Sequence, residues 1–159
     1  MENLEAAFPF LFLVFFVLFW IFVLGLLSRL SGWSTLADHY KSDQSLNGSK
    51  RRLQSMSMGS SSFMNVGYGN IVTLEVNADY LALSLMFLFQ PGHHRIVIPL
   101  DELTAEPHKI FFILKGVRFS TVKAPAIKIT TTRSWAKWIE EKTNGRWSVQ
   151  SKLNFFPAH

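Results

Sequence analysis

The sequence predicts an N-terminal transmembrane α-helix followed by an α+β domain. That domain has about seven antiparallel strands, as in a partly open barrel, capped by a C-terminal helix. Three observations carry this reading. Phe8 to Leu27 is an unbroken apolar run, residues 50–131 mostly alternate with a period of two between turn signals, and residues 132–145 switch to a helical period.

The apolar run comes first. It holds 20 of the 159 residues and seven of the 15 phenylalanines. As a helix it would reach about 30 Å, the thickness of a bilayer core. Pro9 lies near its start, where a missing N–H is tolerated. A cleaved signal peptide fits poorly. The leading MENLEAA carries Glu2 and Glu5 and no basic residue, the apolar core is too long, and SRLSGW offers no small-x-small cleavage pair. An uncleaved anchor over residues 1–28 is expected.

All 16 Lys and Arg follow this run, with Arg29, Lys41, Lys50, Arg51 and Arg52 nearest to it. The positive-inside rule then places the N-terminus outside and the C-terminal domain in the cytoplasm. Residues 29–159 carry 16 basic and 9 acidic side chains, a balance favoured beside an anionic leaflet. No nucleic-acid-binding motif accompanies the charge, so nucleic acid is not an expected partner. The chain has no cysteine, which excludes disulfides, thiolate chemistry and Cys-based zinc sites.

Residues 29–49 form the juxtamembrane part. Leu30, Trp33, Leu36, Ala37 and Tyr40 recur at helical spacing and predict a short amphipathic helix. Its apolar face has two possible destinations. It can lie in the headgroup layer with Arg29 snorkelling, or it can pack on the domain. Ser42 to Ser49 is polar and reads as a linker.

The strands follow. RLQSMSM ends at Met58, and Gly59 to Asn70 reads as a long Gly/Ser connection. Ile71–Val76 and Tyr80–Phe89 alternate on either side of a turn at Asn77–Asp79. Pro91-Gly92 turns the chain into Arg95–Leu100, and KIFFILK, KGVRFSTVK and AIKITT complete the set. From Thr132 to Gly145, Trp135, Trp138 and Ile139 share one face, and Asn144-Gly145 is a stop signal. Trp138 is expected to lie deepest, beside Ile139. The domain thus covers residues 50–145, and residues 146–159 form a tail without assigned structure.

Seven antiparallel strands closed by a tryptophan-bearing helix resemble the pleckstrin-homology-like superfold, in the version of bacterial PH and GRAM-like domains. IVIPLDEL resembles a strand passage common in such domains, and LSGWSTLADHY after a span is similar to a stretch in bacterial membrane-anchored proteins. The likeness covers roughly residues 8–143 and implies a fold more than an activity. Phosphoinositide-binding members place Lys and Arg in the first hairpin loop. Gly59 to Gly69 has none here, so the resemblance does not imply an inositol-phosphate pocket.

No catalytic, cofactor-binding or metal-binding residue is expected. His93 and His94 are neighbours, and adjacent strand residues point to opposite faces, so they read as turn or surface histidines. Asp101 and Glu102 read as solvated loop carboxylates, and Gly67-Tyr68-Gly69 lacks the rest of a dinucleotide loop. The expected function is binding, not catalysis. The first partner is another membrane or membrane-associated protein, added at a strand edge beside the C-terminal helix. The alternative is anionic lipid, held through Lys50, Arg51 and Arg52 with Arg29 and the Trp33 face. An enzyme is the third reading.

Overall fold

The computed structural model describes residues 2–61, 64–110 and 114–149, with side chains from residue 7 onward. Helix α1 (Glu2–Ser31) contains the apolar run and leads through Gly32 into α2 (Trp33–Tyr40). Seven strands follow: β1 (Ser49–Gly59), β2 (Asn65–Val76), β3 (Tyr80–Leu85), β4 (Ile96–Pro99), β5 (Leu103–Ile110), β6 (Leu114–Thr121) and β7 (Lys128–Thr132). Helix α3 (Arg133–Lys142) starts directly after β7. The expected layout of one long apolar helix, seven strands and a C-terminal helix is what the chain forms.

The strands make one antiparallel sheet in the order β4-β3-β2-β1-β7-β6-β5. The curl of this half-barrel centres on β1. Its pairing with β2 slips twice, between Arg51 and Gln54 and between Gln54 and Met56, and Leu53 takes φ +54°. Extra residues of this kind bend a strand and increase its twist. Bent this way, β1 pairs β2 along its length and β7 through Ser57–Gly59.

Met58, Leu74, Leu83, Ile98, Phe119 and Ile129 line the concave side and belong to one continuous buried cluster. Both short helices fill it. Trp33, Leu36, Ala37 and Tyr40 enter from α2, and Trp135, Ala136 and Ile139 from α3. Of the two destinations open to the α2 face, the protein uses packing on the sheet, although Leu30 stays exposed on α1.

Four details differ from the sequence reading. The expected Gly59–Asn70 connection is mostly strand, because Tyr68 points into the core and gives β2 an inward anchor between its glycines. Tyr80–Phe89 stops as a strand at Leu85, and Phe87–Phe89 form a 3-10 turn. The strand expected around KIFFILK lies earlier, at Leu103–Ile110. Pro107 there hid it, yet β5 is the sheet's last strand, where a missing N–H is tolerated. Residues 111–113 of KIFFILK lie outside the described residues.

The fourth difference is the depth of the tryptophans. Trp135 is 2% exposed and Trp138 only half-buried. Trp135, Ala136, Ile139 and Thr143 are all buried and define the inward stripe. At about 100° per residue, Trp138 falls to one side of that stripe. Past the helix stop at Asn144-Gly145, Trp147 is also buried. Its Nε1 donates to the Leu103 carbonyl at 3.1 Å, and its ring lies 5.8 Å from that of Phe119. The start of the tail is therefore docked. Residues 150–159 lie outside the described residues.

Two polar clamps hold the periphery. Glu75, on the convex side, accepts from Arg95 at 2.6 Å and from the Gly48 amide at 3.4 Å, with Lys50 at 3.7 Å. Burial acts to raise the Glu75 carboxyl, but these donors outweigh it and hold the group below its ordinary range. Tyr40 Oη donates to Glu102 at 2.7 Å and receives the Lys123 amide at 3.1 Å. Glu102 is thus a structural acceptor and not a freely solvated loop carboxylate.

Trp135→Ala should cost about 3–5 kcal/mol in urea unfolding of the full chain. Trp138→Ala should cost less than half as much. Equal losses would contradict the observed face of α3.

Candidate functional site

Two constellations stand out. The first joins α1 to the sheet. Gly32 takes φ +81°, and the Ile127 side chain occupies the space a Cβ would need there. The backbone can therefore swing from α1 into α2 and drive Trp33 fully inside. Trp33 Nε1 donates to the His94 carbonyl at 2.8 Å. Its ring meets those of Tyr68 and His93 at 5.5 and 5.3 Å.

Both histidines sit at the turn, but His93 is 3% exposed and only His94 is at the surface. The Pro91-Gly92 turn folds back against α1 and carries the first ring inward. Nδ1 lies 3.1 Å from the Pro91 carbonyl, which can only accept, so Nδ1 carries the proton. Nε2 lies 2.9 Å from Tyr68 Oη, which donates to Ser31 Oγ at 2.7 Å. Burial holds His93 below its ordinary range, against the pull of the Pro91 carbonyl. Burial also pushes the Tyr68 phenol up to about 12, against the Ser31 hydrogen bond. This cluster is locked and solvent-free, a joint and not an open site. His39 and His94 line a separate cavity of about 440 Å³ with Asp38. Among the described residues, no group of three or more His, Asp and Glu could hold a metal ion.

The second constellation is open and cationic. Along the β1-β7-β6-β5 wing, Met58, Ile129 and Phe119 face the core. By the period of two, Ser57, Lys128, Thr130 and Arg118 face the other side. There the end of the β1–β2 hairpin and strands β5, β6 and β7 enclose a cavity of about 760 Å³. Lys109, Arg118 and Lys128 bring positive charge to it, and Ser57, Ser60, Ser61 and Asn65 bring hydroxyls and an amide. Arg118 Nη2 donates to His108 Nε2 at 3.0 Å, and Nη1 lies 3.8 Å from Glu106. Its Nε is buried with no hydrogen-bond partner. Lys128 Nζ donates to Ser120 Oγ at 2.8 Å. Three cations with one neighbouring carboxylate suit an oxyanion.

The sequence-derived surface residues are not brought together. Arg29 is exposed on the last turn of α1, and Trp33 is in the core. Lys50 pairs with Glu75, Arg51 Nη1 reaches the Ser134 carbonyl at 3.4 Å, and Arg52 is exposed. The cavity residues escaped sequence reading because strand register alone assembles them. One signal was present: outward polar positions alternate with core positions at Arg118, Ser120, Lys128 and Thr130. No family model, curated protein or solved structure matches the chain.

The buried joint sets a pH dependence. The folded state holds His93 neutral, whereas the unfolded chain titrates near 6.5. The unfolded state therefore binds more protons as pH falls. This contribution to stability is present above about pH 6.5 and is lost below it. The urea midpoint should drop as pH falls below about 6.5, and His93→Gln should flatten that drop.

Proposed function

We propose that the chain is a single-pass membrane protein. Its PH-like domain faces the cytoplasm and acts by binding a phosphate-bearing ligand, without catalysis. The cationic cavity carries this reading, because Lys109, Arg118 and Lys128 line one space with Ser57, Ser60 and Ser61. Guanidinium and ammonium groups beside hydroxyls suit a phosphate. The strand order and the helix after β7 support the PH-like likeness. The one helix long and apolar enough to cross a membrane supports anchoring, and the basic residues that follow it support a cytoplasmic domain.

The sheet edges favour this reading over addition of a partner's strand. The β4 edge is covered where Lys41 bridges Ile96 and the Ser42 amide donates to the Arg95 carbonyl. The β5 edge carries Pro107, and Trp147 occupies the Leu103 carbonyl. Such features blunt an edge against pairing.

Two sources could supply the phosphate: a lipid headgroup or a soluble molecule. The full chain in phosphatidylcholine nanodiscs, titrated with inorganic phosphate at constant ionic strength, addresses the second. Anionic phosphatidylglycerol nanodiscs address the first. The matching source should stabilise the fold, by about 2.7 kcal/mol at a hundredfold excess over Kd. Arg118→Gln and Lys128→Gln should each weaken that effect. Stabilisation by neither source, or equal stabilisation of both variants, would remove the cavity reading.

Orientation is checked separately. A reporter fused after His159 that works only in the cytoplasm should be active. A glycosylated or externally active fusion would reverse the topology and leave the cavity reading standing.

A further inference from the structure

Outside α1, the turn after β3 carries the most exposed large apolar side chain among the described residues. Phe87 is 79% exposed, Leu88 62% and Met86 40%. From Tyr80 to Gly92 the chain carries no charged residue. This turn does not project into open space. It runs along α1. Ser28 Oγ donates to the Gly92 carbonyl at 2.6 Å. A Cβ on Gly92 would come within 3.0 Å of Gly25 Cα. Further along α1, Trp20 Nε1 donates to the Leu88 carbonyl at 3.1 Å, and its ring meets that of Phe89 at 5.7 Å.

Resting on the reading of α1 as a membrane span, we propose that the Met86–Phe89 turn is a second membrane-embedded element. It sinks Phe87 and Leu88 into the acyl chains of the leaflet on the domain's side. The geometry forces the depth. Trp20 lies seven residues inside the end of the uncharged run at Leu27. At 1.5 Å per residue that is about 10 Å along the helix. A bilayer that covers Trp20 also covers the carbonyl bonded to it.

The backbone is prepared for that environment. Hydrocarbon offers no hydrogen bonds, so each polar backbone group there needs an internal partner. The Leu85 carbonyl accepts from Gln90 Nε2, that of Met86 from the Phe89 amide and that of Phe87 from the Gln90 amide. The Leu88 carbonyl accepts from Trp20, and the Gln90 carbonyl from the His93 amide. The Trp20 indole, in turn, finds within an apolar run the one kind of partner it requires.

The absence of native cysteine makes the test direct. Single variants Phe87→Cys, Leu88→Cys, Phe12→Cys in the span and Val122→Cys are placed in the full chain in phosphatidylcholine vesicles. Val122 is 62% exposed beside the Lys123–Glu102 ion pair and serves as the aqueous reference. Maleimide needs thiolate, which hydrocarbon suppresses, so positions 87 and 88 should label about tenfold or more slower than position 122. A bimane attached at position 88 in detergent, then reconstituted, should be quenched by nitroxide-labelled acyl chains. Fast labelling at 87 and 88 with Phe12→Cys protected would overturn this proposal and leave the span intact. Fast labelling at position 12 would overturn the span itself. Protection without nitroxide quenching would mean that protein covers the turn, and would also overturn the proposal.

Discussion

The burial of Trp33 is the contact on which the rest depends. It sits one residue past the bend at Gly32, with no exposed surface, and its single polar atom is satisfied by the His94 carbonyl. An apolar helix and a water-facing sheet have opposite solvent requirements, and a chain usually separates them with a flexible linker. Here the indole closes the core from the side on which the helix arrives. The amphipathic face of α2 is thereby consumed as core. The Pro91–His94 turn must stay where it is for Trp33 to have an acceptor. Tyr68 must also reach across β2 to complete the buried chain with His93 and Ser31.

The sequence was most informative where the physics is local. Twenty uncharged apolar residues, alternation in Ile71–Val76 and a helical stripe after Thr132 each depend on neighbours along the chain. It was least informative where partners are distant. Nothing near His93 in sequence announces Tyr68 or Trp33, which lie 25 and 60 residues away. Pro107 argued locally against a strand, and its position at a sheet edge, invisible from composition, reversed that. The choice between Trp135 and Trp138 turned on the helix rotation set by its entry from β7, which spacing alone leaves free. The cationic cavity is the extreme case, because it draws from β5, β6, β7 and the end of the β1–β2 hairpin, and no single segment carries its signature.

The two sides of the sheet have separate tasks. The concave side is closed by three tryptophans from α2, α3 and the chain after α3. The other side carries the polar chemistry: Glu75 with Arg95 and Lys50 on one wing, and Arg118 with Lys128 on the other. On the first wing Glu75 joins both cations and accepts from the Ser42–Ser49 segment, where Leu46 is buried against Ala82 and Val97. On the second wing positive charge is in excess. Core packing and the cationic cavity thus draw on different residues, so the second wing can change without dismantling the core.

The contact of Gly25 with Gly92 has a mechanical consequence. Two backbones meet there without side chains between them, and Ser28 and Trp20 bond the same turn on either side. The helix therefore cannot rotate about its own axis, or lean, independently of the sheet. In a bilayer, the tilt of a long span adjusts to the thickness of the hydrocarbon. A domain on a flexible tether would not register that adjustment. This one would tip with the helix as a lever, so membrane thickness would set the angle at which the cationic wing is presented.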